Sequence, residues 1–215
     1  MRFERVSLPS LRIITQGGGK LSDHLWDALV KYAETKKIEF IATYGQTEGT
    51  ARMAYLDSSK ATIKKGSIGK AIPGGVFEIW DENDNPITSE EQKGELIYKG
   101  LNVTLGYADN SEDLLLGDSR NGILKTGDVV RRDNEGYIFI IGRMKRFLKI
   151  YGLRISLDEI ELLIKNNFHI DCYAAGDDNL LKIYVSDESV KDEIKTWLSS
   201  KIDRKSTRLN SSHVK

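Results

Sequence analysis

The hexapeptide YGQTEG, residues 44–49, carries three side chains that together could hold a nucleotide. Tyr44 offers an aromatic face for a base, Thr47 a hydroxyl for a phosphate, and Glu48 a hard oxygen ligand for Mg²⁺. Taken alone, the same hexapeptide is better explained by a core tyrosine and a solvated loop carboxylate. The other blocks of the sequence must decide between these two interpretations.

Three consecutive glycines, residues 17–19, form a second candidate binding element. Residues without a Cβ let a ligand approach the backbone closely, although a plain turn between a strand and a helix is the alternative. The loop is not a Walker A motif. That motif requires a glycine at the position of Ile14 and a serine or threonine at the position of Leu21.

A carboxylate and a guanidinium later in the chain are two further candidate ligands. Asp128 can accept two hydrogen bonds from vicinal hydroxyls such as those of a ribose. Arg143 follows a predicted strand and can add a charge-assisted bond to the ribose or to a phosphate. An ordinary turn aspartate and a solvent-exposed arginine at a strand end are the alternatives.

The elements that must position these residues begin with a strand-helix-strand pattern. Residues 11–14 predict a strand, residues 25–33 have apolar side chains at helical spacing after the potential cap Ser22, and residues 38–44 predict a second strand. This order predicts a right-handed βαβ unit of a parallel sheet. Ligands of such sheets collect beyond the carboxyl ends of the strands, where the glycines and the hexapeptide both lie.

The pattern changes after residue 65 to short strand runs separated by turn sequences. We therefore expect a mainly antiparallel β region. Its predicted strands are residues 76–80, 95–98, 124–130 and 137–141.

A small α+β unit is predicted after Arg143. A basic stretch leads to the capping box at residues 156–159, in which Ser156 is best explained as a helix cap. Two strands, residues 172–175 and 181–185, and a helix over about residues 188–198 follow.

Composition and charge exclude several function classes. The 32 Lys+Arg residues balance 32 Asp+Glu, so no global field attracts the chain to nucleic acid or to an anionic membrane. The longest apolar runs are too short to span a bilayer, and a soluble cytoplasmic protein is expected. Cys172 is the only cysteine, which excludes an internal disulfide and a cysteine zinc cluster.

Four blocks in fixed order resemble the adenylate-forming superfamily, which comprises acyl-CoA synthetases, peptide-synthetase adenylation domains and luciferases. The resemblance extends from Leu11 to about Ile202. The blocks are TQGGGKLS (15–22), YGQTEGT (44–50), LKTGDVVRRDNEGYIFIIGR (124–143) and KRFLKIYGLRISLDEIE (145–161).

The resemblance implies a fold class and an activity. It implies an α/β AMP-binding subdomain over residues 1–65, a β-rich subdomain over 66–142 and a small α+β C-terminal lid over 143–203. The implied activity is ATP-dependent, Mg²⁺-dependent conversion of a carboxylic acid to an acyl-AMP, with transfer to coenzyme A. Adenylation of an amino or aryl acid for the phosphopantetheine of a carrier protein is an alternative, and a non-catalytic nucleotide-binding or interaction module is another.

The resemblance also assigns roles to residues in the matched blocks. Thr47 and Glu48 would be catalytic, and Glu48 would also bind the metal. The nucleotide would be held by Gly18, Gly19, Tyr44, Gly45, Gln46, Thr47, Asp128 and Arg143.

The last block implies a hinge and a second set of ligands. Lys145 takes the place of the residue on which the lid rotates between the two half-reactions. Lys149, as a catalytic residue, and Arg154 would enter the site after that rotation, and Gly152 would line a pantetheine tunnel. A solvated charge run is the alternative for the basic residues of this block.

Both ends of the chain depart from the family pattern. The phosphate loop expected upstream and the Pro-x-x-x-x-Gly-Lys setting of the adenylation lysine expected downstream do not occur in this sequence. Residues 204–215 are polar, lack periodicity and are interpreted as a non-native tail. We therefore expect a fragment of a ligase that is inactive by itself.

Overall fold

The chain forms two compact units in a computed structural model that describes residues 6–89, 93–150, 153–177 and 180–210. The units are Met1–Met144 and Lys145–Lys215. Each is described by itself below. The subdomain boundaries predicted from the sequence stay predictions.

The first unit is built on one eight-stranded sheet packed with a helix. The strands lie in the order β1-β2-β3-β4-β8-β7-β6-β5. Only the pair β1 and β2 is parallel, whereas the other pairs are antiparallel. The elements are β1 (Ile13–Gln16), α1 (Asp23–Lys36), β2 (Glu39–Tyr44), β3 (Ala54–Leu56), β4 (Ser67–Ala71), β5 (Val76–Trp80), β6 (Gly94–Lys99), β7 (Ile123–Arg132) and β8 (Ile138–Arg143).

The predicted parallel strand-helix-strand unit is present, but its first strand lies at Ile13–Gln16, two residues later than the predicted 11–14. Ser22 caps α1, its hydroxyl accepting a hydrogen bond from the Leu25 amide at 3.4 Å. The helix buries Trp26 edge-on against Phe40 of β2, with ring centroids 5.2 Å apart. This packing fixes the helix on the sheet and brings the ends of β1 and β2 to one edge.

A second apolar core joins the middle of the sheet to the end of β2. Its members include Tyr44 of β2, Leu96 and Tyr98 of β6, and Val130 of β7. The phenol ring of Tyr44 therefore belongs to the same packed layer as the β-rich part of the sheet. The predicted α/β and β-rich regions share this one sheet.

The second unit is a small α+β fold with its own core. Its core is formed by Leu148, Leu157, Ile160, Ile164, Ala174, Ile194 and Leu198. Its two hairpins pair β9 with β10 and β11 with β12, both antiparallel. The elements are β9 (Phe147–Ile150), β10 (Leu153–Ser156), α2 (Leu157–Phe168), β11 (Cys172–Asp177), β12 (Leu180–Val185) and α3 (Lys191–Asn210).

Helix α2 begins where the sequence predicted, whereas α3 begins at Lys191, three residues after its predicted start, and runs further than predicted. Ser156 caps α2, its hydroxyl accepting from the Glu159 amide at 3.2 Å. Helix α3 continues through Asn210 and so enters the segment interpreted as a non-native tail, whose origin stays a prediction. No helix of the described ranges has the length and apolar character needed to cross a membrane.

Candidate functional site

A buried carboxylate connects two of the candidate elements. Asp128 of β7 is 2% exposed, and its Oδ2 accepts hydrogen bonds from the Tyr44 hydroxyl at 2.5 Å and from the Gln46 amide at 2.9 Å. The Gln46 amide also donates to the Thr126 carbonyl at 2.9 Å. The end of β2 is thus fastened to β7 through side chains that lie 82 and 84 positions apart.

The second oxygen of Asp128 faces Arg143. Arg143 is the register partner of Asp128 on β8, and its Nε lies 3.2 Å from Asp128 Oδ1. Two thirds of the Arg143 side chain is exposed, at 66%. The pair therefore places one buried carboxylate oxygen beside an exposed guanidinium, which can reach an anionic or hydroxyl-bearing ligand.

The Tyr44 hydroxyl is held in its neutral form. Burial raises the pKa of Tyr44, and the neighbouring Asp128 carboxylate raises it further. The hydroxyl is thus a fixed donor to Asp128. The Tyr44 ring is 8% exposed and packs edge-on to Phe77, so the base-stacking role stays a prediction that depends on the small accessible part of the ring.

The turn after β2 is closed by backbone contacts that only glycine permits at residue 45. A Cβ on Gly45 would lie 2.2 Å from the Thr50 carbonyl oxygen. The backbone amide of Gln46 donates to that same carbonyl at 3.2 Å, and the backbone amide of Met53 donates to the Tyr44 carbonyl at 2.6 Å. The turn leaves Thr47 exposed and Glu48 half-buried.

Glu48 is held at both its backbone and its side chain. Its carboxylate accepts a hydrogen bond from the Tyr107 hydroxyl, and this bond lowers the pKa of the Glu48 carboxyl below its ordinary value. Its carbonyl accepts from the Thr104 amide at 2.9 Å and from Arg120 Nη1 at 3.4 Å. The Arg120 guanidinium also lies 4.6 Å from the centre of the Tyr107 ring.

The glycine loop leaves open space at two of its three residues. A Cβ on Gly18 or on Gly19 would meet nothing within 4 Å, whereas one on Gly17 would lie 2.8 Å from Thr43 Oγ1. Gly18 has a φ of +86°, which favours glycine. The loop is tied back by the Gln16 amide, which donates to the Gly19 carbonyl.

The residues predicted in the last block belong to the second unit. Lys145 lies in a short 3-10 helix, Met144–Arg146, while Lys149 of β9 pairs in register with Arg154 of β10. The placement of the Lys149 and Arg154 side chains, and all of Gly152, lie outside the described residues. Their proposed roles therefore stay predictions.

The interpretation of this block as a solvated charge run is wrong for Arg146. Its guanidinium is bound to Asp158 at 2.5 Å and to Glu161 at 2.6 Å. Arg146 therefore has a structural role within the second unit.

The side chains near Glu48 suit a magnesium ion that is bound mainly by nucleotide phosphates and water. Among the described residues, no three His, Cys, Asp or Glu side chains converge as a metal cage. Mg²⁺ is commonly bound by one or two carboxylates together with substrate phosphates and water. The half-buried Glu48 carboxylate, with one oxygen facing Tyr107, fits that requirement.

The structure thus brings Tyr44, Gln46, Asp128 and Arg143 into one network. The sequence does not predict Glu95 and Thr126, which hold the strand that carries Asp128, or Tyr107 and Arg120, which hold Glu48. Thr126 donates to the Leu96 carbonyl at 2.8 Å and accepts from the Asp128 amide at 3.1 Å. No periodicity signals the contacts of Glu95 and Thr126, because they depend on strand register, and Tyr107 and Arg120 lie in the irregular segment between β6 and β7.

Comparison with known proteins gives consistent matches. A family model described as AMP-binding enzyme matches residues 2–108. Luciferin 4-monooxygenase of Photuris pensylvanica is 29% identical over 175 residues, which cover 80% of this chain and 31% of the relative. The 4-coumarate–CoA ligase-like 8 protein of Arabidopsis thaliana is 31% identical over 165 residues, which cover 77% of this chain and 29% of the relative.

A solved structure has a similar fold. O-succinylbenzoate coenzyme A synthetase of Bacillus subtilis, in complex with ATP and magnesium ion, matches with a TM-score of 0.69 at 24% identity. The match covers 85% of this chain and 38% of that chain. The present chain thus spans about three tenths of the length of the two curated relatives.

Proposed function

We propose that this chain, which belongs to the adenylate-forming superfamily of AMP-binding enzymes, is the later part of an ATP-dependent acid-thiol ligase. The proposed reaction activates a carboxylic acid as an acyl-AMP and passes the acyl group to coenzyme A. Two features support it: family membership and the side-chain network that joins the YGQTEG hexapeptide to the TGD tripeptide of β7.

The observation that carries the proposal is the Asp128 network. Asp128 holds the Tyr44 hydroxyl and the Gln46 amide on one oxygen, while its other oxygen faces Arg143. We propose that the oxygen facing Arg143 accepts the hydrogen bond of a ribose hydroxyl. The open space over Gly18 and Gly19 would then accommodate the adenine and the adjoining acyl group.

The phosphates would lie toward the exposed side of the hexapeptide. Thr47 is exposed and would donate its hydroxyl to the α-phosphate, and Glu48 would bind Mg²⁺. When bound, Mg²⁺ neutralises phosphate charge. Arg143, which is paired with Asp128, would add a positive charge near the reacting phosphate, and preorganised charges of this kind contribute to transition-state stabilisation.

The proposed chemistry has two balanced steps. A carboxylate oxygen of the acid attacks the α-phosphorus, the bond to the β-phosphate breaks, and pyrophosphate leaves. A thiolate sulfur then attacks the acyl carbon, and AMP leaves with the oxygen that linked it to the acyl group. The side chains named above bind and orient the nucleotide in both steps.

The thiol acceptor and the role of the second unit are finer proposals. Coenzyme A is favoured because one of the two relatives compared above is by name a coenzyme A ligase, whereas a carrier-protein phosphopantetheine is the alternative. We propose that the second unit is the lid, with Lys149, Gly152 and Arg154 acting after rotation at Lys145.

We also propose that the protein is located in the cytoplasm.

Product analysis of the full-length protein tests the proposal. The protein is incubated with ATP, Mg²⁺ and a panel of carboxylic acids, and nucleotides are separated by chromatography. Acid-dependent AMP and pyrophosphate support it, and Glu48→Gln should reduce their formation by roughly a hundredfold. The matched control Glu188→Gln changes an exposed carboxylate in the second unit and should not. Formation of ADP and orthophosphate would indicate another reaction. Nucleotide binding without turnover would favour the non-catalytic alternative.

A further inference from the structure

Two residues outside every predicted site converge on Glu48. Tyr107 and Arg120 lie in the segment between β6 and β7, about 60 and 70 positions after Glu48. Tyr107 donates its hydroxyl to the Glu48 carboxylate, and Arg120 donates to the Glu48 carbonyl. Both therefore act on a residue whose position the proposed reaction requires.

The contacts form a closed chain around Glu48. Arg120 Nη1 donates to the Thr104 hydroxyl as well as to the Glu48 carbonyl, and its guanidinium lies 4.6 Å from the centre of the Tyr107 ring. The Thr104 amide donates to the Glu48 carbonyl at 2.9 Å. Cation-π contact of this kind restrains an aromatic ring that would otherwise be mobile at the surface.

Burial of the Tyr107 ring does not explain its position. It is 72% exposed, so core packing does not require a tyrosine there. A phenylalanine would keep the ring contact with Arg120 and lose only the hydroxyl. The hydroxyl is thus the part of this side chain that acts on Glu48.

We infer that Tyr107, with its ring held by Arg120, is a positioning residue that orients the Glu48 carboxylate for the magnesium of a bound nucleotide. The hydroxyl engages Oε1 of the Glu48 carboxylate, and Oε2 would bind the magnesium. Groups that orient a metal ligand through a hydrogen bond typically change metal affinity by tenfold to a hundredfold when they are removed. This inference rests on the proposed function, because it takes Glu48 as the magnesium ligand.

The test measures how strongly Mg²⁺ and ATP reinforce each other's binding, without turnover. Dissociation constants of ATP are determined by calorimetry for the full-length protein with and without Mg²⁺, and their ratio is the magnesium coupling. Tyr107→Phe should lower this ratio by roughly tenfold, near the lower end of the range because the site is exposed. Tyr184→Phe, which removes an exposed hydroxyl in the second unit, should leave it unchanged.

A double-mutant cycle separates positioning from a general structural effect. Glu48→Gln should remove most of the coupling, and adding Tyr107→Phe to it should have no further effect. The inference is overturned if Tyr107→Phe keeps the normal ratio, or if it lowers the ratio equally in the Glu48→Gln background. An unmodified protein without any magnesium coupling would instead overturn the proposed function, and this inference with it.

Discussion

At the level of single residues, Asp128 determines how substitutions of its neighbours in the candidate site change the stability of the fold. It is 2% exposed, accepts hydrogen bonds from Tyr44 and Gln46, and forms an ion pair with Arg143. These three partners compensate the buried charge, and removing one of them leaves part of that charge without compensation. The network therefore contributes to stability, in addition to its proposed role in nucleotide binding.

Tyr44→Phe tests that conclusion. The change removes the donor at 2.5 Å while keeping the ring that packs against Phe77, so we expect a loss of about 1 to 3 kcal/mol in the free energy of unfolding. Urea unfolding followed by intrinsic fluorescence measures it. The control Tyr184→Phe removes an exposed hydroxyl and should stay within about 0.5 kcal/mol of the unmodified chain. Equal stability of Tyr44→Phe and its control would mean that the buried bond contributes nothing.

The sequence predicts Tyr44, Gln46, Asp128 and Arg143 as nucleotide ligands, which stays a prediction, but it does not predict their mutual contacts. Their bonds to one another depend on the register of β7 and β8 and on the packing of β2, which short motifs do not encode. Tyr107 and Arg120 could not be found, because one tyrosine and one arginine in an irregular segment carry no spacing signal.

At the scale of elements, the turn between β2 and β3 positions the hexapeptide. Its geometry depends on the close approach of residue 45 to the Thr50 carbonyl, where a Cβ would be 2.2 Å away. Backbone rather than a movable side chain occupies that space. Any side chain at residue 45 must therefore displace the turn that carries Gln46 and Glu48.

Gly45→Ala is expected to destabilise the first unit and to disturb the site. Opening the turn strains the hydrogen bonds at the end of β2, and we expect a loss of roughly 2 kcal/mol or more. The matched control is Gly117→Ala, since a Cβ there meets nothing within 4 Å. The measurement is the melting temperature of each variant. If Gly45→Ala melted at the same temperature as Gly117→Ala, the close approach would not constrain the turn.

The strands that the sequence predicted correctly are those with a continuous apolar run. Strand β5 has the predicted bounds, 76–80, whereas β6 extends the predicted strand 95–98 by one residue at each end. Strand β7 extends the predicted strand 124–130 by one residue at its start and two at its end, and β8 begins one residue later and ends two residues later than the predicted strand 137–141. Strand β3 was missed because it has three residues, and β9 was missed because it lies in a basic stretch. Short or charged strands take their conformation from pairing rather than from local pattern.

At the scale of the molecule, the division falls between Met144 and Lys145. Arg146, the next residue, is fixed to Asp158 and Glu161 inside the second unit. The sequence predicted a hinge at Lys145 from the family pattern and from the basic stretch, and this hinge stays a prediction.

Lys145→Pro in the full-length protein tests the hinge. Proline restricts φ at residue 145 and biases Met144 toward extended geometry. Acyl-AMP formation should survive better than acyl transfer to coenzyme A, because only transfer requires the rotated state. Each half-reaction is measured separately, with Lys145→Ala as the control that keeps backbone freedom. Equal loss of both half-reactions, or loss of neither, would mean that Lys145 is not the pivot.

The proposed reaction, in which the parent protein joins a carboxylic acid to AMP, can be tested by following a carboxylate oxygen. The full-length protein is given ATP, Mg²⁺, coenzyme A and the acid that supports turnover, with the acid labelled in its carboxylate by oxygen-18, and the products are analysed by mass spectrometry. We expect one heavy oxygen in AMP and none in pyrophosphate, because the carboxylate oxygen becomes the bridge to the α-phosphorus and leaves with AMP. Heavy oxygen in orthophosphate with unlabelled AMP would show an acyl phosphate instead, and the proposed acyl-AMP would then be wrong.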